Sequence, residues 1–151
     1  MFAELPFFKP KKNFYIVNDK EGRGINCRFG MRGNIAEAHF DGSRNFIMIF
    51  GGERRYILSH PKSCSKLGLY PRGHPSARHS ALDWSKPDLE SFPEFREAMA
   101  NEVVMQAGDA LYLPTNWLHF IISLDLNWQC NARSGVTHEY KDHINTCGFG
   151  R

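Results

Sequence analysis

No apolar run in this sequence approaches the roughly 20 residues that a membrane-spanning helix needs, and the N-terminus lacks the basic-then-apolar order of a signal peptide. A soluble, intracellular chain is therefore expected, although an opening Met-Phe-Ala-Glu is equally compatible with a truncated chain that has lost a targeting segment. Cysteine is scarce. Cys27, Cys64, Cys130 and Cys147 stand far apart and form no C-x-x-C pair, which excludes a zinc knuckle and a thioredoxin-type site. They read as free thiols, mostly buried, in a reducing compartment, while their even number leaves disulfides open. Charge of one sign is also lacking: 19 Lys and Arg against 16 Asp and Glu give a net +3, with no basic block. The nearest approaches, Lys9 with Lys11 and Lys12, and Arg54 with Arg55, read as solvated surface, so nucleic acid is not indicated as a partner. There is no internal repeat and no low-complexity tract, and the Ala, Leu and Glu at helical spacing that mark a helical bundle are missing.

What the chain does have is aromatic and apolar bulk. Its 151 residues are 42% hydrophobic, with twelve Phe, five Tyr and three Trp, enough for one sizeable core and one domain over residues 1–151. That composition suits β packing. Strand candidates are Phe14-Tyr15-Ile16-Val17, Ile25 to Met31, the continuous apolar run Phe46-Ile47-Met48-Ile49-Phe50 and Arg55 to Leu58. The apolar run reads as a strand covered on both faces, joined to its successor as a hairpin with Gly51, Gly52 and Glu53 near the turn. From Ser59 to about Asp88, Pro, Gly, Ser and His prevail without periodicity, which predicts a long and functional excursion. Short helical turns follow at Pro87 to Glu90 and Phe92 to Met99, with Asp83 and Asp88 as caps. Strands then resume at Glu102 to Met105, Ala110 to Leu113, His119 to Leu124 and Trp128 to Ala132, before a short helix around Glu139 to Ile144. Strands, a long insertion and more strands predict an antiparallel barrel or sandwich closed by distant pairings.

His39 and Asp41 stand two apart, so on an extended segment both side chains project from one face. An imidazole and a carboxylate aimed at one point suit a borderline divalent metal, and a second histidine would complete a two-histidine, one-carboxylate triad with open coordination positions. An H-x-D alone is weak evidence. His119 follows a strand and a turn at Pro114, and that order presents it at a strand start, where a barrel mouth would be.

At this point the chain resembles the JmjC and cupin-like family of Fe(II)/2-oxoglutarate oxygenases, specifically its factor-inhibiting-HIF-like asparaginyl-hydroxylase branch. The matching stretches are A-H-F-D-G-S-R-N-F from Ala38, G-G-E-R-R-Y-I-L from Gly51, L-Y-P from Leu69 and D-W-S-K-P-D-L-E-S-F-P-E-F from Asp83. Q-A-G-D-A-L-Y-L-P-T-N-W-L-H from Gln106 and Q-C-N-A-R from Gln129 complete the series, in family order over about residues 25–134. The resemblance implies a double-stranded β-helix, a cupin or jelly-roll barrel with a long loop-and-short-helix insertion. It implies Fe(II) held by His39, Asp41 and His119, and 2-oxoglutarate bound by Asn45, Arg54 and Asn131. Arg54 stands where many relatives have a lysine that pairs with the far carboxylate of 2-oxoglutarate. Ala36 stands where close relatives carry a threonine, and only 38 residues precede His39, fewer than typical full-length members carry. Tyr15 and Tyr112 are candidates for a cosubstrate-binding tyrosine by residue type.

The expected activity is hydroxylation of a protein side chain, with RNA or a small molecule as alternative substrates. Two rivals stand beside it: a cupin-type metalloenzyme that does not use 2-oxoglutarate, and a non-catalytic binding module. His74 and His79 in the excursion read as surface residues rather than substrate contacts, and Trp84 and Trp117 as packing residues rather than stacking platforms.

Overall fold

The computed structural model describes residues 22–135 and 138–150, so the strand candidate at Phe14 to Val17, and Tyr15 with it, lies outside the described residues. Eight strands follow in order: β1 Gly22–Gly30, β2 Ile35–Phe40, β3 Arg44–Gly51, β4 Glu53–Ser59, β5 Asn101–Gln106, β6 Ala110–Leu113, β7 Leu118–Ser123 and β8 Asn127–Ser134. They form two antiparallel four-stranded sheets, β1-β8-β3-β6 and β2-β7-β4-β5. Successive strands alternate between the sheets except at β4 and β5, which pair with each other across the excursion. The fold is a mainly β jelly-roll.

One expectation fails here. β3 and β4 do not form a hairpin: β3 pairs with β6 and β8, β4 with β5 and β7. The glycine pair is a crossing between sheets. Gly52 has φ +67°, and a Cβ on it would stand 2.2 Å from the carbonyl oxygen of Leu126, so only glycine fits where the chain changes sheet. The apolar run in β3 also has one buried face, Asn45, Ile47 and Ile49, and one half-buried face rather than two covered ones.

Two apolar clusters flank the second sheet. Ile47, Ile49, Tyr56, Met105, Leu113 and Ile121 pack between the sheets. On the outer side Phe40, Leu118 and Phe120 pack against Leu67, Leu82 and Trp84 of the excursion and Ile144 near the C-terminus. The period of two along β7 explains the division: Leu118 and Phe120 face outward, His119, Ile121 and Ser123 inward. Trp84 is thus a core residue, as expected. Within the excursion, the hydroxyl of Ser80 donates to the Leu67 carbonyl (2.7 Å) and accepts from the Trp84 indole (3.3 Å), tying its ends together. Asp83 accepts from the Ser85 backbone, and Asp88 from the Glu90 and Ser91 backbones, but in turns rather than as the helix caps expected: the helical turn Pro93–Glu97 starts after Phe92, with no side-chain cap.

The free-thiol expectation is corrected. Cys27 pairs with Cys130 and Cys64 with Cys147, leaving no free cysteine among the described residues. The partners are 103 and 83 positions apart in sequence. The first pair meets because register sets Cys27 of β1 directly opposite Cys130 of β8. The second pair links the helical turn Pro61–Lys66 to the C-terminal turns Lys141–Ile144 and Asn145–Phe149. No helix among the described residues is long and apolar enough to cross a membrane.

Candidate metal centre

His39 and His119 meet as direct cross-strand partners of β2 and β7. A bulge between Ala36 and His39 shifts the register of β2, and Asp41 lies one residue beyond the strand's end. His39 and His119 have ring centroids 4.2 Å apart, and one ligand atom from each of His39, Asp41 and His119 lies within 4.8 Å of the other two. Donors at about 2.1 Å in a facial set stand about 3 Å apart, so side-chain shifts of about 1 Å would close this group on one ion.

The histidines are prepared for that role by their second nitrogens. His39 Nδ1–H donates to the Glu37 carbonyl (2.7 Å) and His119 Nδ1–H to the Trp117 carbonyl (3.0 Å). A carbonyl only accepts, so Nδ1 carries the proton in both rings and Nε2 keeps its lone pair for the shared point. Burial lowers both pKa values, that of His119 to about 4, with the neighbouring His39 adding to the effect. Both rings are neutral near pH 7, the form a metal requires.

The rest of the interior is lined with polar side chains from β8. Asn127, Gln129, Asn131 and Arg133 alternate inward, and each takes a different partner. Asn127 Oδ1 accepts from Arg54 Nε, and Gln129 Oε1 accepts from the Tyr56 hydroxyl. The amide of Asn131 donates to Asn45 Oδ1 (2.9 Å), and Arg133 Nη2 pairs with Asp41 Oδ2 (2.7 Å). The ladder runs from Arg54 at one end to Asp41 at the other.

Arg54, 7% exposed, stands opposite Ser123 on β7, while Leu58 of the same strand stands opposite His119. Those four positions put the two ends about 13 Å apart along the strand. Its guanidinium bonds Asn127 and Tyr56 and has no carboxylate partner among the described residues. Burial lowers its pKa, and Tyr56 opposes that shift. Around it the backbone comes close: a Cβ on Gly30 would stand 2.7 Å from Ser123 Oγ and 2.8 Å from Arg54 Nη2. Burial pushes the Tyr56 phenol up to about 12, so it is a hydroxyl donor at any ordinary pH. A buried cation with hydroxyl neighbours and no acid suits an anionic ligand group.

All six residues singled out from sequence, His39, Asp41, Asn45, Arg54, His119 and Asn131, lie in this interior or at its mouth. Tyr112 does not: it is 46% exposed, and the tyrosine beside Arg54 is Tyr56. His79, expected at the surface, bridges to His39 and stacks on it with centroids 5.0 Å apart. It is carried there by residues 78–80 of the excursion, which bond to the free edge of β2 through Ser80 N to Ala38 O (2.8 Å) and Phe40 N to Arg78 O (3.2 Å). Trp117 packs as expected, against His60 and Tyr140. Sequence reasoning passed over Tyr56, Ser123, Gln129 and Arg133. The signal that would have found them is the period of two counted onward from Arg54, His119 and Asn131.

A family model described as a cupin-like domain matches residues 3–137. The chain belongs to the cupin-like domain family. Among its relatives, a lysine-specific demethylase 8 of Xenopus tropicalis is 32% identical over 105 residues, 69% of this chain and 23% of the relative. JmjC domain-containing protein D of Dictyostelium discoideum is 29% identical over 107 residues, 71% of this chain and 24% of the relative. A tRNA wybutosine-synthesizing protein 5 of Danio rerio is 30% identical over 126 residues, covering 83% of this cupin-like chain and 34% of the relative. The matched part of this chain thus spans between about a quarter and a third of these relatives' lengths.

Proposed function

We propose that this cupin-like chain is an Fe(II)- and 2-oxoglutarate-dependent oxygenase that hydroxylates a protein side chain, with His39, Asp41 and His119 holding the metal. The observation that carries the proposal is one inward face with a His-Asp-His group at its mouth and a buried guanidinium without a carboxylate partner deeper in. A 2-oxo diacid has two matching ends, since its keto-acid group suits a metal and its far carboxylate suits a guanidinium. When bound, Fe(II) with 2-oxoglutarate and dioxygen supplies the oxidising power to place a hydroxyl on a substrate C–H carbon.

The chain's own residues do the binding and orienting. Arg54 spends Nε–H on Asn127, which leaves its terminal amino groups beside Ser123 Oγ for the far carboxylate. Tyr56 holds that guanidinium in place, and Ser123 offers the hydroxyl that Ala36 lacks. The Asn45–Asn131 pair stands between the two ends and supplies polar contacts there. A protein side chain as substrate is supported by the relatives named lysine-specific demethylases, and RNA by the one named for tRNA wybutosine synthesis.

The test is anaerobic addition of Fe(II) and 2-oxoglutarate, read by the visible charge-transfer absorption that a chelated 2-oxo acid gives. The wild type is expected to develop this band and His119→Ala to lose it. Arg54→Met is expected to need about 10- to 100-fold more 2-oxoglutarate, the loss of hydrogen bonds to a charged group. A wild type that binds Fe(II) with no band identifies a metalloenzyme of another kind, and one that binds no metal identifies a binding module. Succinate release on adding peptide or RNA then separates the substrates.

A further inference from the structure

Asp41 is the one ligand of the proposed triad whose side chain the strand ladder does not hold. Its backbone carbonyl accepts from Asn116 N (2.8 Å), but it lies past the end of β2, and the rotation of its carboxylate is left to whatever touches the two oxygens. Two guanidiniums do. Arg133 Nη2 stands 2.7 Å from Oδ2, across the barrel on β8. Arg78 Nη1, held by the Phe40 carbonyl at 2.9 Å, stands 3.5 Å from Oδ1, too far for a strong bond. Asp41 Oδ2 is thus in ion-pair contact with Arg133, without an aligned hydrogen bond, while Oδ1 has only the long bond from Arg78.

Resting on the metal reading above, we infer that Arg133 is a positioning residue that limits Asp41 to a single oxygen at the metal. The consequence lies in the number of donors. Two imidazoles and one oxygen leave three of six positions, enough for a chelating cosubstrate and for dioxygen. A carboxylate that turned both oxygens to the ion would leave two, which a chelating 2-oxo acid fills. A guanidinium on Oδ2 prevents that turn, because ion pairing and metal ligation compete for the same oxygen. Its positive charge opposes that of the ion, so its contribution is orientation rather than affinity. The residue sits one step beyond Asn131 on the inward face and is only partly exposed, with a quarter of its side-chain surface accessible.

Cobalt(II) alone is the probe. Wild type, Arg133→Gln and Arg133→Lys are loaded with Co(II), and the ligand-field bands and dissociation constants are recorded. Arg133→Gln is expected to shift the band maxima and change their intensity, as when a donor is added, while binding Co(II) at least as tightly as the wild type. Arg133→Lys, which keeps a cationic donor, is expected to move the bands back towards the wild-type positions. Unchanged bands in Arg133→Gln, or loss of its Co(II) binding with the fold intact by circular dichroism, overturn the assignment. X-ray absorption on wild-type Co(II) protein needs no variant: a carboxylate bound through one oxygen is expected, and one bound through two overturns the inference. If the wild type takes up no Co(II), the metal reading itself falls and this assignment with it.

Discussion

Tyr56 shows how a single side chain couples stability to the proposed site. It is fully buried between the sheets, donates to Gln129 and bonds Arg54. Tyr56→Phe keeps the ring and removes the hydroxyl, leaving a buried amide oxygen and a buried cation each short of a partner. A loss of about 1–3 kcal/mol in urea unfolding is expected. The pH dependence has a definite sign. The folded-state pKa is raised to about 12 from an ordinary 10.0, so the folded protein holds this proton more tightly than the unfolded chain. The stabilisation is complete below pH 10 and is lost as pH climbs through 12. Wild type should therefore approach Tyr56→Phe in stability over that interval, and a constant gap up to pH 12 would count against the buried hydroxyl. At this scale the family blocks singled out His39, Asp41 and His119, which the fold brings together. The sequence was mute at Tyr56 and Ser123, ordinary residues made special by an inward position and a cross-strand partner.

At the scale of elements, strand positions were legible because periodicity is local, except for β2, where no strand candidate was placed, while pairing was not. The run from Phe46 and the segment from Arg55 are both strands, separated in the structure by Gly52 alone, yet they belong to different sheets. A short connection looks like a hairpin in sequence whether it turns within a sheet or crosses between two. Gly52→Ala tests the crossing. The left-handed φ and the approach to the Leu126 carbonyl predict a loss of about 1–3 kcal/mol or more, read as a lowered thermal midpoint, whereas an ordinary exposed hairpin turn would tolerate the change more easily. The excursion was legible as irregular and long, but its task was hidden. Residues 78–80 run along the free edge of β2 and bring His79 to His39 and Arg78 to Asp41, two of the proposed metal ligands, an arrangement that also covers an edge strand's open hydrogen-bonding groups.

For the whole molecule, the disulfides close loops spanning most of the described chain. Such long loops restrict the unfolded state strongly, and removing one costs about 2–4 kcal/mol in a typical case. Cys64→Ser and Cys27→Ser are each expected to lower the thermal midpoint in the absence of reductant. Reductant is expected to lower that of the wild type towards that of a variant carrying both substitutions. Thiol titration in denaturant without reductant should find no free thiol among the four cysteines, and finding four would show that neither pairing is formed.

The sequence by itself determined the β character, the places of the strands other than β2, the length of the excursion and the identity of the family, because alternation and motif spacing are properties of neighbours along a chain. Only the tertiary structure decided which strands share a sheet, which cysteines meet and what surrounds Asp41 and Arg54. Those depend on register between segments 40 to 100 residues apart, and a shift of one residue would turn every inward side chain outward. The two-residue repeat along β8 was present in the sequence as N-W-Q-C-N-A-R. That its alternate members meet Arg54 and Tyr56 of the other sheet, Asn45 of the neighbouring β3 and Asp41 beyond β2 follows from the packing of one sheet over the other and from register within one.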